Sequence, residues 1–244
     1  MSAFDTYWSQ VRSQLDQVAT RQRPAIERAA EWLAGAFSAG RFLFVFGTGH
    51  SHLLAEEVFY RAGGLARVVP ILDDDLMLHR SASRSTNLER ESGRAGPLLQ
   101  RYGVTSGDVL VIASNGGRNA VPIEMALEGR TRGARVIALT NLAQTRAWPS
   151  RHASGRHLAD VAELVIDNEG IDGDAVVEIA GLNSRIGPTS TLTGALILNL
   201  MAVQSVEILL RNGGVPEVFV SSNAGGEAHN ALLISGMKAI NPHL

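Results

Sequence analysis

Five short, largely apolar runs fix the frame of this chain: Phe42–Phe46, Arg67–Leu72, Asp108–Ala113, Arg135–Thr140 and Glu163–Asp167. The first, Phe-Leu-Phe-Val-Phe, is apolar at every position. A strand of that kind has no wet face and belongs in a parallel sheet covered on both sides. Helical stretches lie between most of the runs, notably Leu53–Ala62 and Asn119–Arg132. Strands alternating with helices predict an α/β fold, a three-layer αβα sandwich around a five-stranded parallel sheet with right-handed crossovers. Ahead of the first strand, Ile26, Ala30, Leu33 and Phe37 share one face of a helix over Pro24–Ala39, with Pro24 in its first turn and Gly40 as its stop.

A length of 244 residues suits one domain, because a single core stops growing only near roughly 250–300 residues. We divide it into N-terminal helices over 1–39, a core of sheet and helices over 40–168, and a helical C-terminal part over 169–244. The composition is 45% hydrophobic and 19% charged, enough for a sizeable core without staples. Formal charge is −2 and the basic residues are scattered singly, so no stripe exists to neutralise a phosphate backbone, and nucleic acid is not an expected partner. The absence of cysteine excludes disulfides, thiolate zinc sites and a cysteine nucleophile. With no apolar run behind a basic start in MSAFDTYWSQVRSQ, the expected location is the cytoplasm. The one stretch apolar enough to raise a membrane, Leu192–Leu210, carries Asn199, Gln204, Ser205 and Glu207 and reads as a helix covered by protein.

Ligands of parallel sheets bind beyond the carboxyl ends of the strands, and two glycine clusters fall there. Gly47-Thr48-Gly49-His50-Ser51-His52 follows the first strand, and Ser114-Asn115-Gly116-Gly117-Arg118-Asn119 follows the third. Glycine lets the backbone turn sharply and approach a ligand, and the next helix offers unpaired N–H groups to an anion. Thr48, Ser51 and Ser114 add hydroxyls. Either cluster alone serves equally well as a steric turn, but the two at equivalent points of one sheet point to an anionic ligand held between them. A nicotinamide fingerprint competes, because Gly47-x-Gly49 follows a strand and Asp73–Asp75 lie a suitable distance beyond. His52 occupies the third glycine position of that fingerprint, which crowds the helix packing a dinucleotide needs, and the second cluster is left unused. No cofactor is expected.

These motifs, GTGHS and SNGGRNAVPIE within the five-strand alternation over Gly40–Asp167, resemble the sugar isomerase (SIS) domain family. The chain is most similar to compact relatives of phosphoheptose isomerase, and the C-terminal SSNAGGEAHNALLI fits the end of that group. The resemblance implies a flavodoxin-like doubly wound fold that binds a phosphorylated sugar, with Ser51, Ser114 and Asn119 and neighbouring amides on the phosphate. We accordingly take Gly47, Thr48, Gly49, Ser51, Ser114, Asn115, Gly116, Gly117, Arg118 and Asn119 as the phosphate set. Ser114-Asn115-Gly116-Gly117 departs from the family's commoner Ser-x-Ser-Gly and lacks one hydroxyl.

Isomerising a sugar phosphate, or eliminating from one, needs a base beside a carbonyl and an acid at oxygen, roles that suit Glu and His. Resemblance to phosphoheptose isomerases implies a glutamate on the helix after the first loop, here Glu56 or Glu57, and a histidine near the C-terminus, here His229. The offset of these glutamates from the loop is shorter than in those enzymes. Resemblance to N-acetylmuramic acid 6-phosphate etherases implies instead a glutamate in the segment after the second strand, here Glu89 or Glu91 in Thr86-Asn87-Leu88-Glu89-Arg90-Glu91. Each of these acids also has an ordinary reading as a solvated or arginine-paired surface group. His50, His52 and Asp73–Asp75 carry metal-ligand chemistry, yet two histidines do not define a site, and no metal is expected. Arg118 and Arg151 either meet the anion or sit in solvent. Asp73–Gly96 reads as a long polar loop that selects the substrate, and Thr145–Gly155 as a shorter basic one.

The expected activity is therefore an aldose–ketose or amino-sugar phosphate isomerase, with a lyase or a non-catalytic sugar-phosphate sensor as alternatives. The helix over Thr189–Arg211 is apolar around its circumference, which predicts a homodimer or larger homo-oligomer packed through it; the family resemblance implies a site shared between subunits.

Overall fold

A computed structural model describes all residues, 1–244. Two N-terminal helices, α1 (Ala3–Arg21) and α2 (Arg23–Ser38), lead into β1 (Leu43–Gly47). There follow α3 (Leu53–Glu57), β2 (Val68–Ile71), α4 (Ala82–Leu88), α5 (Ala95–Tyr102), β3 (Val109–Ala113), α6 (Ala120–Thr131) and β4 (Arg135–Thr140). The chain continues through α7 (Leu142–Ala147), α8 (Leu158–Val161), β5 (Leu164–Asp167), a hairpin of β6 (Ala175–Val177) and β7 (Ile186–Pro188), then α9 (Ser190–Arg211) and α10 (Glu227–Met237). The first five strands form one all-parallel sheet in the order β2-β1-β3-β4-β5.

Side chains alternate across a strand, and here the alternation divides the core into two layers. Phe44, Phe46, Val69, Ile71, Leu110, Ile112, Val136 and Ala138 face α5, α6 and α8, with Phe219 and Met237 closing that side. Leu43, Val45, Val68, Val109, Val111, Ile137, Leu139 and Ile166 face α2, α3 and α9. Every residue of β1 and β3 is buried, as a doubly covered strand requires. Each large side chain so buried contributes about 1.5–3 kcal/mol, and this two-sided burial fixes the register of the sheet.

Three segments differ from the sequence expectations. The helix expected over Leu53–Ala62 stops at Glu57, and Tyr60 takes a left-handed φ of 43°. There the Tyr60 ring packs edge-on against Phe219 at 5.1 Å, and Phe219 N–H donates to Gly64 C=O while Gly63 N–H donates to Phe219 C=O, so backbone bonding to the 217–219 stretch replaces further helical turns. The loop expected over Asp73–Gly96 is folded. Asp74–Leu76 forms a single 3₁₀ turn, Ser81 caps α4, and Ser85 Oγ donates to Leu76 C=O at 2.7 Å over the fully buried Leu76 side chain. Arg84 clamps Asp75 from α4 through two bonds of 3.1 Å. The β6–β7 hairpin is an addition. Asp174, at φ 65° before it, accepts from the N–H groups of Thr189 and Ser190 and so caps α9.

The apolar helix α9 is long enough and apolar enough to cross a membrane, but it packs on α2 and α3 within the fold. Its Asn199 donates to Glu57 Oε1 and to Ala195 C=O, and its Ser205 donates to Ala202 C=O. On its outer side Leu192, Val203 and Leu210 stay exposed.

Candidate functional site

From β1 the chain crosses to β2 on one side, and β3 then joins β1 on the other. The carboxyl ends of β1 and β3 therefore flank the switch point of the sheet, where crossover helices leave a crevice. Both glycine clusters open into it, although Gly47 and Gly117, expected on the phosphate, are buried and do not line it.

Local sterics dictate two of the glycines. A Cβ at Gly47 would lie 2.4 Å from the Ser51 carbonyl carbon and oxygen, and one at Gly117, where φ is 57°, would lie 2.9 Å from Thr140 Oγ1. Glycine at these positions lets each loop fold back tightly on itself and on β4. Gly116 meets only ordinary contacts and faces the crevice. Ser114 Oγ accepts from Gly117 N–H at 3.3 Å, which closes the second loop. Asn119 caps α6 without a side-chain bond to it, leaving the first-turn amides of that helix without a capping side chain.

Thr48, Gly49, His50, Ser51, Glu89, Ser114, Asn115, Gly116, Arg118 and Asn119 share one open cleft of about 580 Å³, a volume suited to a small metabolite. Its far wall comes from Gln144, Trp148, Arg151, Asp172 and Gly173. A narrower recess beside it is lined by His50, Ser51, Ser114, Asn115 and the start of α9 at Ser190 and Thr191. Asn115 is committed to the frame: its amide donates to Gln144 Oε1 at 2.9 Å and accepts from Asn168 Nδ2 at 2.8 Å. Its side chain thus holds the second loop to the loops after β4 and β5.

The charged groups are arranged unevenly. Glu89, at the end of α4, accepts from Thr48 Oγ1 at 2.7 Å, and its C=O accepts from Val121 N–H at the start of α6. The Arg118 guanidinium lies 5.7 Å from the centre of the Trp148 ring, with Nε buried and without an acceptor. Trp148 is itself held by Asp172, which accepts from Nε1 at 2.8 Å. Arg151 donates to Asn119 Oδ1 at 3.0 Å. Desolvation first, then repulsion from Arg118 and Arg90, holds Arg151 below the ordinary arginine range, with Glu89 opposing.

The other expected groups lie elsewhere. Glu56 is exposed on α3, and Glu57 turns to Arg61 and to Asn199 of α9. Glu91 is exposed and lies 3.8 Å from Arg94. His229, on α10, meets Val218 C=O through Nε2 at 2.9 Å, away from the residues lining the cleft in this chain. His52 is buried with Nδ1 against Gly49 C=O. Asp75 faces Arg84 and Arg94, and Asp74 faces Arg80. No three His, Asp or Glu side chains gather where they could hold a metal ion.

Sequence reading left out Gln144, Trp148, Asp172, Ser190 and Thr191. The available signal was position, because Asn141–Gln144 follows β4 at the same carboxyl edge as the two glycine loops.

Comparison with known proteins places the chain in a family. Residues 6–141 match the model of the SIS domain family. A UPF0309 protein of Halalkalibacterium halodurans is 42% identical over 230 residues, covering 94% of this chain and 92% of its own. One from Brucella canis is 43% identical over 242 residues, covering 98% of each. Among solved structures, a phosphoheptose isomerase from Francisella tularensis superposes with a TM-score of 0.54 at 15% identity, covering 84% of this chain and 99% of its own, a likeness of fold. The match over more than half the chain and these full-length relatives place the protein in the SIS domain family, beside the UPF0309 proteins.

Proposed function

We propose that the cleft binds a phosphorylated sugar and that the protein isomerises it between aldose and ketose forms, with Glu89 as the base. The observation that carries this reading is the meeting of Glu89 with Thr48 at 2.7 Å in a cleft that also holds Ser51, Ser114 and Asn119. Hydroxyls and amides suit a phosphate, and a carboxylate beside them suits proton transfer at a carbon a few bonds away.

The reaction balances without a cofactor. Glu89 removes the proton on the carbon next to the carbonyl while an acid protonates the carbonyl oxygen, giving an enediol. The proton returned to the former carbonyl carbon, with loss of the hydroxyl proton from its neighbour, completes the isomer. His50 lines the same cleft and can serve as the acid. His229 enters this reading only from a second subunit. A pairing of two chains is supported by the exposed Leu192, Val203 and Leu210 on α9 and by the apolar groove between α9 and the 62–68 stretch. A monomeric mass in light scattering would remove His229 from the reaction.

Glu89 also favours a second reading. It sits in the segment after β2 where, by resemblance, the etherases carry a working glutamate, and the same deprotonation followed by departure of a group one carbon further on is an elimination. Assay of hexose, heptose and amino-sugar phosphates with wild-type protein and Glu89→Gln tests both. Turnover lost by about 10²–10⁴-fold with ligand binding retained supports a base at Glu89, and the product separates isomer from eliminated fragment. Binding without turnover in the wild type would leave a sugar-phosphate sensor.

A further inference from the structure

The cleft has two chemically different ends. One, beside the start of α9, is lined by Ser51 and Ser114 and is shared by the narrow recess. Hydroxyl donors of that kind, one on each glycine loop, suit one phosphate. The other end belongs to Arg118, Arg151 and Trp148, none of which reaches the recess.

At this second end no carboxylate pairs directly with an arginine. No carboxylate oxygen lies within 4.0 Å of Arg90, Arg118 or Arg151, although eleven arginine–carboxylate pairs occur elsewhere in the chain. The acids that line the cleft are engaged otherwise, Glu89 by Thr48 and Asp172 by the Trp148 indole. Arg118 keeps a buried Nε without an acceptor, and its guanidinium is laid along the Trp148 ring. Arg151 has only the neutral Asn119 Oδ1 for its side chain, and its main chain is pinned by donation from Arg151 N–H to Arg118 C=O at 2.8 Å. A half-buried guanidinium with a buried, unbonded Nε near a second arginine and without a paired acid is costly, and a bound anion offsets that cost. Desolvation first, then repulsion from Arg118 and Arg90, lowers the proton affinity of Arg151, with Glu89 opposing.

We infer that Arg118 and Arg151 form a second anion subsite, so that the natural ligand is a sugar carrying a further carboxylate or phosphate besides the phosphate held at Ser51 and Ser114. This rests on the phosphosugar reading of the two glycine loops. Arg118, held over the Trp148 ring, has a planar fork of N–H donors that can take two oxygens of one planar or tetrahedral anion. Trp148 sets that orientation and Asp172 sets Trp148.

Equilibrium dialysis of the full chain with inorganic phosphate tests it whatever the sugar proves to be. The expected result is two phosphates per chain. Arg118→Gln and, separately, Arg151→Gln should each remove or weaken one of them at least tenfold, whereas Ser114→Ala should weaken the other. Two arginine variants guard against a folding defect in one, and an unchanged thermal midpoint certifies each. Acetate displacing only the arginine-dependent phosphate identifies a carboxylate subsite, and failure to displace it identifies a second phosphate subsite. One phosphate per chain, lost equally in the Arg118, Arg151 and Ser114 variants, overturns the second subsite and leaves the phosphosugar reading intact. One phosphate that depends on the arginines and ignores Ser114 overturns the loop reading instead, and no phosphate at all overturns both.

Discussion

The two short helices that bring glutamates near the first glycine loop make opposite use of them. α3 follows that loop directly in sequence, yet Glu56 faces solvent and Glu57 is taken up by Arg61 and Asn199. α4 arrives some thirty residues later, and the Glu89 that ends it reaches Thr48 inside the loop. The contrast follows from what holds each helix. α3 follows directly on the tight approach of Ser51 to Gly47 and is cut short where Tyr60 packs on Phe219, whereas α4 is fastened at its middle by Ser85 to Leu76 and at its end by Glu89 C=O to Val121. Nearness in sequence to a glycine loop does not decide which carboxylate reaches it; the anchoring of the helix does.

The sharpest way to break this contrast is to exchange the acids. Glu89→Gln should lower turnover of the responsive sugar phosphate by about 10²–10⁴-fold, while Glu57→Gln, which alters a half-exposed pair with Arg61 and the bond from Asn199, should leave turnover unchanged and cost about 0.5 kcal/mol in denaturant unfolding. Equal losses in the two would dissolve it. Next in size, Gly47→Ala should destabilise by about 3 kcal/mol in the same unfolding assay, since its Cβ meets Ser51 backbone at 2.4 Å and α3 must rotate to make room. A stable variant with a normal cleft would show that Gly47 does not set α3.

A smaller effect concerns the clamp that ends α3. His243 packs against Phe59 and Tyr102, and burial first, then Arg101, holds its imidazole below the ordinary 6.5. Below pH 6.5 the unfolded chain binds a proton that the folded chain refuses, so stability is present above that value and declines as pH falls through the depressed native value. The thermal midpoint of wild type should therefore drop on acidification in this range, and His243→Gln should flatten the drop. Smallest is Thr48→Val, which removes the hydroxyl that orients Glu89 and should cost about 1 kcal/mol, or up to about tenfold, in turnover.

Much of this was legible in the residues because two-sided burial writes itself into sequence. Phe42–Phe46 and Asp108–Ala113 declare covered strands, and glycines mixed with Ser, Thr and Asn mark their ends. What escaped was set by tertiary contacts with no local signature. Nothing near Tyr60 announces Phe219 as the reason its helix stops, and nothing in the polar Asp73–Gly96 stretch announces that Leu76 will be buried under Ser85. β6 and β7 have three residues each, too few for an alternating pattern. The choice of Glu89 over its neighbours needed the direction in which α4 ends, and Trp148 needed Asp172, twenty-four residues on, to turn it toward Arg118.

The central claim, that Glu89 moves a proton on a sugar phosphate bound between the two glycine loops, is tested most directly by exchange. Wild-type protein, Glu89→Gln and Glu57→Gln would each be incubated in D₂O with hexose, heptose and amino-sugar phosphates. Proton NMR would then follow deuterium entering the carbon next to the carbonyl. We expect exchange into at least one sugar phosphate with wild type and Glu57→Gln, and none with Glu89→Gln. Exchange that persists in Glu89→Gln and vanishes in Glu57→Gln would contradict it and return the chemistry to α3.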